Sequence, residues 1–94
     1  MYDWDEANIR HIAEHEITPE EAEQALENDP VDAGVQDCEG EQRYVEVGMT
    51  HSGRMLVVIT TLRGELTRVL TAYRATPLFR AFYFRERGAN YGHD

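Results

Sequence analysis

Arginine provides all of the permanent positive side-chain charge of this 94-residue chain, which contains nine arginines and no lysine. The planar guanidinium group can hold a phosphate or a carboxylate through two hydrogen bonds at once, which the ammonium group of lysine cannot do. Eighteen acidic residues make ion pairing the main alternative to phosphate binding. The arginines best placed for chemistry are Arg43, Arg54, Arg68, Arg74 and Arg80.

A second set of candidate groups is the histidine pair His11 and His15, four residues apart in a segment of helical pattern. This spacing suits zinc, but zinc needs at least one further protein ligand and none is evident. Acid–base chemistry near neutral pH and a structural hydrogen-bonding role are the other two interpretations. Cys38 has no neighbouring histidine or second cysteine, so we assign it no chemistry.

Length and charge bound the classes of protein that fit. The chain is long enough for one small domain, and its net charge of −9 argues against a protein that simply coats nucleic acid. The charge is uneven: residues 1–47 hold fifteen acidic residues and two arginines, whereas residues 48–94 are net basic. No stretch resembles a membrane span or a signal peptide, and with a lone cysteine we expect a cytoplasmic location.

Two helices are predicted at the start of the chain. The first spans Asp5 to His15, with apolar residues at helical spacing. The second begins at Thr18-Pro19-Glu20-Glu21, which combines an N-cap, a proline at the first helical position and a capping box. It should end near Asn28, and its thin apolar stripe predicts a place on the outside of the fold.

The middle of the chain changes to the period of β-strands. Strands are predicted at Val31–Gln36, Arg43–Val47, Met55–Thr61 and Leu66–Tyr73. The third is apolar throughout, which indicates a strand covered on both faces. Short connections, including a loop over Asp37–Gln42, favour an antiparallel meander.

A last helix is predicted from Thr76-Pro77 to about Arg87, followed by a flexible tail over 88–94. The predicted architecture is therefore a single α+β domain over residues 1–87, with two N-terminal helices, an antiparallel sheet of three or four strands and a C-terminal helix. In the fourth strand Arg68 shares a face with the apolar Leu70 and Ala72. It should therefore either pair with a carboxylate or face a cleft.

Motifs across residues 2–87 resemble the BrnT-like family of toxins from type II toxin–antitoxin systems. In the first half the shared pattern is Trp4-Asp5-x-x-Asn8-x-x-His11-Ile12-x-x-His15-x-Ile17-Thr18-x-Glu20-Glu21-Ala22-Glu23. In the second half it comprises Arg43 before a strand, Gly48, Gly53-Arg54-x-Leu56-x-Val58, Arg68-Val69, Ala72, Ala75-Thr76 and Arg80-x-x-Tyr83.

The resemblance implies a RelE-like fold and a ribonuclease that acts on RNA without a metal or other cofactor. It also implies a cognate ribbon–helix–helix antitoxin whose complex with the toxin represses their operon. A homodimer and a toxin–antitoxin hetero-oligomer are both compatible with the sequence. Metal-free RNA cleavage needs a base, an acid and cations on the phosphate. The expected catalytic residues are Arg43, Arg68, Arg80, Tyr83 and His15, with Arg54 and Arg74 binding RNA phosphates.

The chain departs from the family pattern at several positions. Lysines usual around the first helix are replaced by Ala7 and Glu14, and the usual Lys-His-Gly at its end reads Glu14-His15-Glu16. Phe79 stands where an acidic residue is expected before Arg80. The alternative function is therefore a non-catalytic protein-binding module on the same fold. The acidic stretch Glu14–Glu27, with Glu39 and Glu41 beyond it, is either a solvated face or a surface that binds a basic antitoxin or mimics the charge of nucleic acid.

Overall fold

The computed structural model describes residues 1–91, and this part of the chain folds as two helices, four strands and a third helix. This confirms the predicted α+β architecture. In chain order the elements are α1 (Glu6–Ala13), α2 (Pro19–Glu27), β1 (Val31–Cys38), β2 (Glu41–Met49), β3 (Met55–Arg63), β4 (Leu66–Arg74) and α3 (Pro77–Tyr91). Helix α3 continues past its predicted end at Arg87 into the predicted tail, whose residues 92–94 lie outside the described part.

Both N-terminal helices begin at a capping box. At α2, Thr18 Oγ1 accepts a hydrogen bond from the N–H of Glu21, and Glu21 Oε1 accepts one from the N–H of Thr18, each at 3.1 Å. The prediction for this helix start is confirmed, including Pro19 at the first position. At α1, Asp5 and Asn8 make the same exchange, at 3.1 and 2.8 Å.

Helix α1 ends at Ala13, two residues before its predicted end, because the chain reverses there through a Schellman motif. The N–H of Ile17 donates to the carbonyl of Ile12 at 3.1 Å, and the N–H of Glu16 donates to the carbonyl of Ala13 at 2.9 Å. Glu16 has a φ of 63°, the left-handed conformation that favours glycine. Ile12 and Ile17 enter the same core, which fixes the exit from the helix.

The four strands form one antiparallel sheet in the order β1-β2-β3-β4, as the meander prediction requires. The predicted loop over Asp37–Gln42 is wrong in extent. Strand β1 continues to Cys38 and β2 starts at Glu41, leaving a two-residue turn of Glu39 and Gly40. Both turn residues have positive φ, 53° and 85°, which matches the twist of a tight hairpin.

The sheet has a core on each face, so β3 is covered on both sides as predicted. On one face Leu56 and Val58 pack with residues of α1 and α2, and on the other Val57 packs with Tyr83 of α3. Helix α2 reaches the sheet through small residues, since Ala22 and Ala25 are buried. A Cβ atom at Gly48 would overlap the backbone carbonyl of Ala25, so glycine permits this close approach.

A β-bulge in β4 overturns one sequence-based assignment of faces. Thr60 pairs with Val69, but the adjacent Ile59 pairs with Thr71, so Leu70 is the extra residue. Arg68 pairs with Thr61 and Ala72 pairs with Val58, three positions apart in β3. Arg68 and Ala72 therefore lie on opposite faces, and Arg68 does not belong to the apolar row inferred from regular alternation.

The N-terminal segment lies along the outer edge of β4. Tyr2 forms a parallel bridge with Thr67, whose N–H donates to the carbonyl of Met1 at 2.9 Å and whose carbonyl accepts from the N–H of Asp3 at 2.8 Å. Strand β1 forms the opposite edge of the sheet. Among residues 1–91, no helix is long and apolar enough to cross a membrane.

Candidate active site

The predicted site residues fall at two opposite ends of the sheet. Near the start of β3, Leu56 pairs with Arg74, and near its end Thr61 pairs with Arg68. Five residues of extended strand separate the two pairs, a distance of about 17 Å. We name these regions the Arg74 end and the Arg68 end.

The Arg68 end contains Arg43 and Arg68, and both guanidinium groups contact carboxylates. Arg43 Nε lies 3.1 Å from Oε1 of Glu41. Arg68 Nη1 lies 3.1 Å from a carboxylate oxygen of Asp5 and 3.5 Å from one of Asp3, and the Arg68 side chain is only 12% exposed. The hydrogen bond from Arg68, followed by one from the N–H of Asn8, lowers the pKa of Asp5.

These contacts give Arg68 a clear structural role. Its Nη1 also donates to the backbone carbonyl of Asp3 at 3.3 Å, so one side chain fastens the N-terminal segment beside β4. Arg68 was expected either to pair with a carboxylate or to face a cleft, and in the structure it pairs with carboxylates. A phosphate at this end would have to compete with Asp3 and Asp5 for the same donors.

At the Arg74 end, Arg54 joins three parts of the chain. Its Nη1 lies 2.8 Å from Oε2 of Glu21 in α2 and donates to the carbonyl of Glu16 at 3.1 Å. Burial alone would raise the pKa of Glu21, but hydrogen bonds from Arg54 and from the N–H of Thr18 outweigh it and the pKa is lowered. Arg54 thereby holds the left-handed residue that follows His15.

Arg74 and Arg80 are the exposed cations at this end. Arg74 is the last residue of β4, and Arg80 lies in the first turn of α3, whose start is held by a hydrogen bond from the N–H of Ala75 to the carbonyl of Met55. Neither side chain forms an ion pair or hydrogen bond with any residue of the described part of the chain. Both side chains are exposed, and no carboxylate of residues 1–91 compensates their charge.

His15 lies at the same end of the sheet, next to a tyrosine that sequence analysis missed. Its ring centroid is 6.3 Å from that of Tyr73, the residue before Arg74, and 6.0 Å from that of His11. No pattern in the sequence identifies Tyr73, because its approach to His15 depends on how α1 ends against β4. Within residues 1–91 no three His, Cys, Asp or Glu side chains are grouped to hold a metal ion, so the histidine pair has no third ligand there.

Tyr83 is a core residue and is not exposed at the Arg74 end. It is 6% exposed and packs with Val47 and Val57, and its ring meets that of Phe84 edge-on at 5.5 Å. The guanidinium carbon of Arg87 lies 5.4 Å from the Tyr83 ring centroid. These contacts give Tyr83 a packing role between α3 and the sheet.

Together these features define a small α+β protein with one antiparallel sheet and a solvent-facing cationic end that suits a polyanion. The family model for "Ribonuclease toxin, BrnT, of type II toxin-antitoxin system" matches residues 4–78, so the chain belongs to the BrnT family. Membership implies an RNA target and an antitoxin partner. A search of curated proteins found no match.

Proposed function

We propose that the chain is a metal-independent endoribonuclease toxin with a RelE-like fold, which acts in the bacterial cytoplasm and is neutralised by a ribbon–helix–helix antitoxin. The match to the BrnT model over residues 4–78 supports the toxin class. We further propose a hetero-oligomer with the antitoxin in place of a toxin homodimer. Light scattering on the free and co-purified chains distinguishes these assemblies by mass.

We place the reaction at the Arg74 end of the sheet. Cleavage through the ribose 2′-hydroxyl requires a group to accept its proton, and imidazole is suited to this task near neutral pH. His15 takes this role, and the departing 5′-oxygen takes its proton from water. Arg74 and Arg80 bind the phosphate and stabilise the charge that develops on it. The observation that carries this assignment is that Arg74 and Arg80 are exposed and uncompensated on the same end as His15.

The remaining candidates take supporting roles in this proposal. Arg54 is a positioning residue, since its contact with the Glu16 carbonyl fixes the turn beside His15. Arg43 and Arg68 stabilise the opposite end through carboxylates, and Tyr83 supports α3 from the core. Tyr73, by contrast, is offered as a further RNA contact because its ring adjoins that of His15.

The test is cleavage of a labelled RNA by purified chain in the presence of EDTA, together with growth on induction. We expect His15→Ala and Arg74→Gln to lower the cleavage rate by at least about 100-fold. Arg63→Gln is the matched control, because Arg63 is exposed and has no ion pair in the described region, but lies at the opposite end of β3. It should cleave like the unmodified chain.

Three outcomes decide between the alternatives. The proposed site is supported if His15→Ala and Arg74→Gln lose activity and Arg63→Gln keeps it. Equal activity of all variants places the reaction elsewhere. If the unmodified chain neither arrests growth nor cleaves RNA, the ribonuclease proposal fails and the non-catalytic binding module is the remaining function.

A further inference from the structure

A groove lies on the face of the sheet that α1 and α2 cover, apart from the proposed reaction site. It encloses about 490 Å³, and its walls include Tyr2, Leu26, Asp32, Tyr44, Glu46 and Thr60. Tyr44 of β2 pairs with Thr60 of β3, which places the groove toward the Arg68 end. We call it the acidic groove.

Two carboxylates in the acidic groove have no cationic partner among residues 1–91. Glu46 is half-buried, and burial together with the neighbouring charge of Asp32 raises its pKa. Asp32 accepts a hydrogen bond from the N–H of Gly34 at 2.9 Å. No arginine or histidine of residues 1–91 forms an ion pair with either carboxylate.

Further carboxylates surround the wall that Tyr2 forms. The Tyr2 hydroxyl donates to Glu27 at 2.6 Å. Burial, this hydrogen bond and the charges of Glu27, Glu23 and Glu46 raise the pKa of Tyr2, so its hydroxyl keeps its proton. The groove therefore repels an RNA phosphate and attracts a cation.

Thr60 adds a polar group to the groove that is independent of the two carboxylates. It is only 5% exposed and lines the groove, yet its hydroxyl makes no hydrogen bond to any residue of the described part. No buried side-chain oxygen or nitrogen of the described residues lacks a partner, so the Thr60 oxygen is open to solvent in the groove. It is available to a donor that enters between Asp32 and Glu46.

We infer that the acidic groove receives an arginine side chain from the antitoxin. A guanidinium group has five N–H donors in one plane, enough for two carboxylates and the Thr60 hydroxyl together. Its flat faces can stack on tyrosine rings such as those of Tyr2 and Tyr44. The choice of partner rests on the proposed toxin function, whereas the preference for arginine rests on the groove alone.

The location of the groove separates antitoxin docking from RNA cleavage. Glu46 pairs with Val58, which faces α1 and α2, whereas the core under α3 lies on the other side of the sheet. The groove is also at the end remote from Arg74. Substitutions in the groove should therefore weaken the antitoxin complex and leave RNA cleavage by the free toxin unchanged.

The first test is a calorimetric titration of antitoxin into toxin variants. The antitoxin is co-expressed with toxin, separated from it and purified before use. The double variant Asp32→Asn/Glu46→Gln should raise the Kd by about tenfold to a hundredfold. The control Asp37→Asn/Glu65→Gln makes the same change in net charge at exposed sites and should change the Kd less than about threefold. Equal effects of the two double variants, or no effect of the groove variant, would overturn the inference.

The second test does not depend on the antitoxin or on activity. Acetyl-Leu-Arg-Leu-amide should shift the NMR amide signals of Glu46 and Thr60, and the same peptide with neutral citrulline should not. Shifts with both peptides, with neither, or only with magnesium chloride would contradict an arginine site. If the arginine peptide binds but the unmodified chain cleaves no RNA, the groove inference stands and the proposed ribonuclease function fails.

Discussion

The side-chain amide of Asn8 donates a hydrogen bond to the backbone carbonyl of Val69, with 3.2 Å between Nδ2 and the oxygen. This contact joins the first helix to the outer strand across 61 positions of sequence. The same Nδ2 donates to the carbonyl of Asp3 at 3.0 Å, and Oδ1 accepts from the N–H of Asp5. One buried amide thus links the N-terminal segment, α1 and the strand that carries Arg74.

Asn8→Ala should lower the free energy of unfolding by about 1–3 kcal/mol, because it leaves buried backbone groups without partners. Urea denaturation measures the change. Asn28→Ala is the control, since Asn28 is exposed and its amide donates to only one carbonyl, that of Met49. An equal loss in both variants would show that burial of the Asn8 contacts adds nothing.

Glu16→Gly should raise the free energy of unfolding by about 0.5–1 kcal/mol, because residue 16 has a φ of 63° and glycine adopts this conformation without strain. Glycine also retains the carbonyl that Arg54 contacts. Glu14→Gly, at a φ of −63°, should lower stability by about the same amount. Destabilisation by Glu16→Gly in urea would contradict the explanation.

Gly48→Ala should lower the free energy of unfolding by about 1–3 kcal/mol, since its Cβ atom would overlap the Ala25 carbonyl and force α2 away from the sheet. Gly88→Ala in α3 meets no atom within 4 Å and should leave stability unchanged or raise it. Thermal unfolding of the two variants gives the comparison. An unchanged melting temperature for Gly48→Ala would rule out the close approach.

Glu46→Gln should raise the melting temperature at neutral pH, and the gain should disappear in acid. The pKa of Glu46 is raised in the folded state. Its contribution to the free energy of unfolding is therefore fully present below the ordinary pKa of 4.5, and it is lost as pH rises through the raised pKa. Neutral glutamine avoids that loss. Melting temperatures of Glu46→Gln and the unmodified chain between pH 4 and pH 8 measure this gain, with Glu65→Gln as control. A gain that does not depend on pH would contradict the explanation.

Local signals predicted much of the fold. The Thr18 capping box and the apolar run of β3 depend on neighbouring residues, and both are confirmed. The bulge at Leu70 could not be predicted, because Arg68, Leu70 and Ala72 alternate as in a regular strand. Only pairing with β3 reveals the extra residue.

The candidate site shows the same division between local and distant information. His15 and Arg74 were selected from the sequence, but their separation from Arg43 and Arg68 depends on strand register. Likewise, the charge balance left open which arginines are paired. Asp3 and Asp5 reach Arg68 only because the N-terminal segment lies beside β4.

The two edges of the sheet differ in a way that bears on self-association. The N-terminal segment partly covers β4, whereas β1 is the opposite edge and carries the exposed carboxylates of Asp32 and Asp37. The pairing of β1 is also irregular, because the register shifts between Asp32 and Gly34 and leaves Ala33 as an extra residue. Like charges and an irregular strand both oppose edge-to-edge addition of a second copy. The acidity of the chain thus guards against polymerisation, in addition to any role in binding a basic partner.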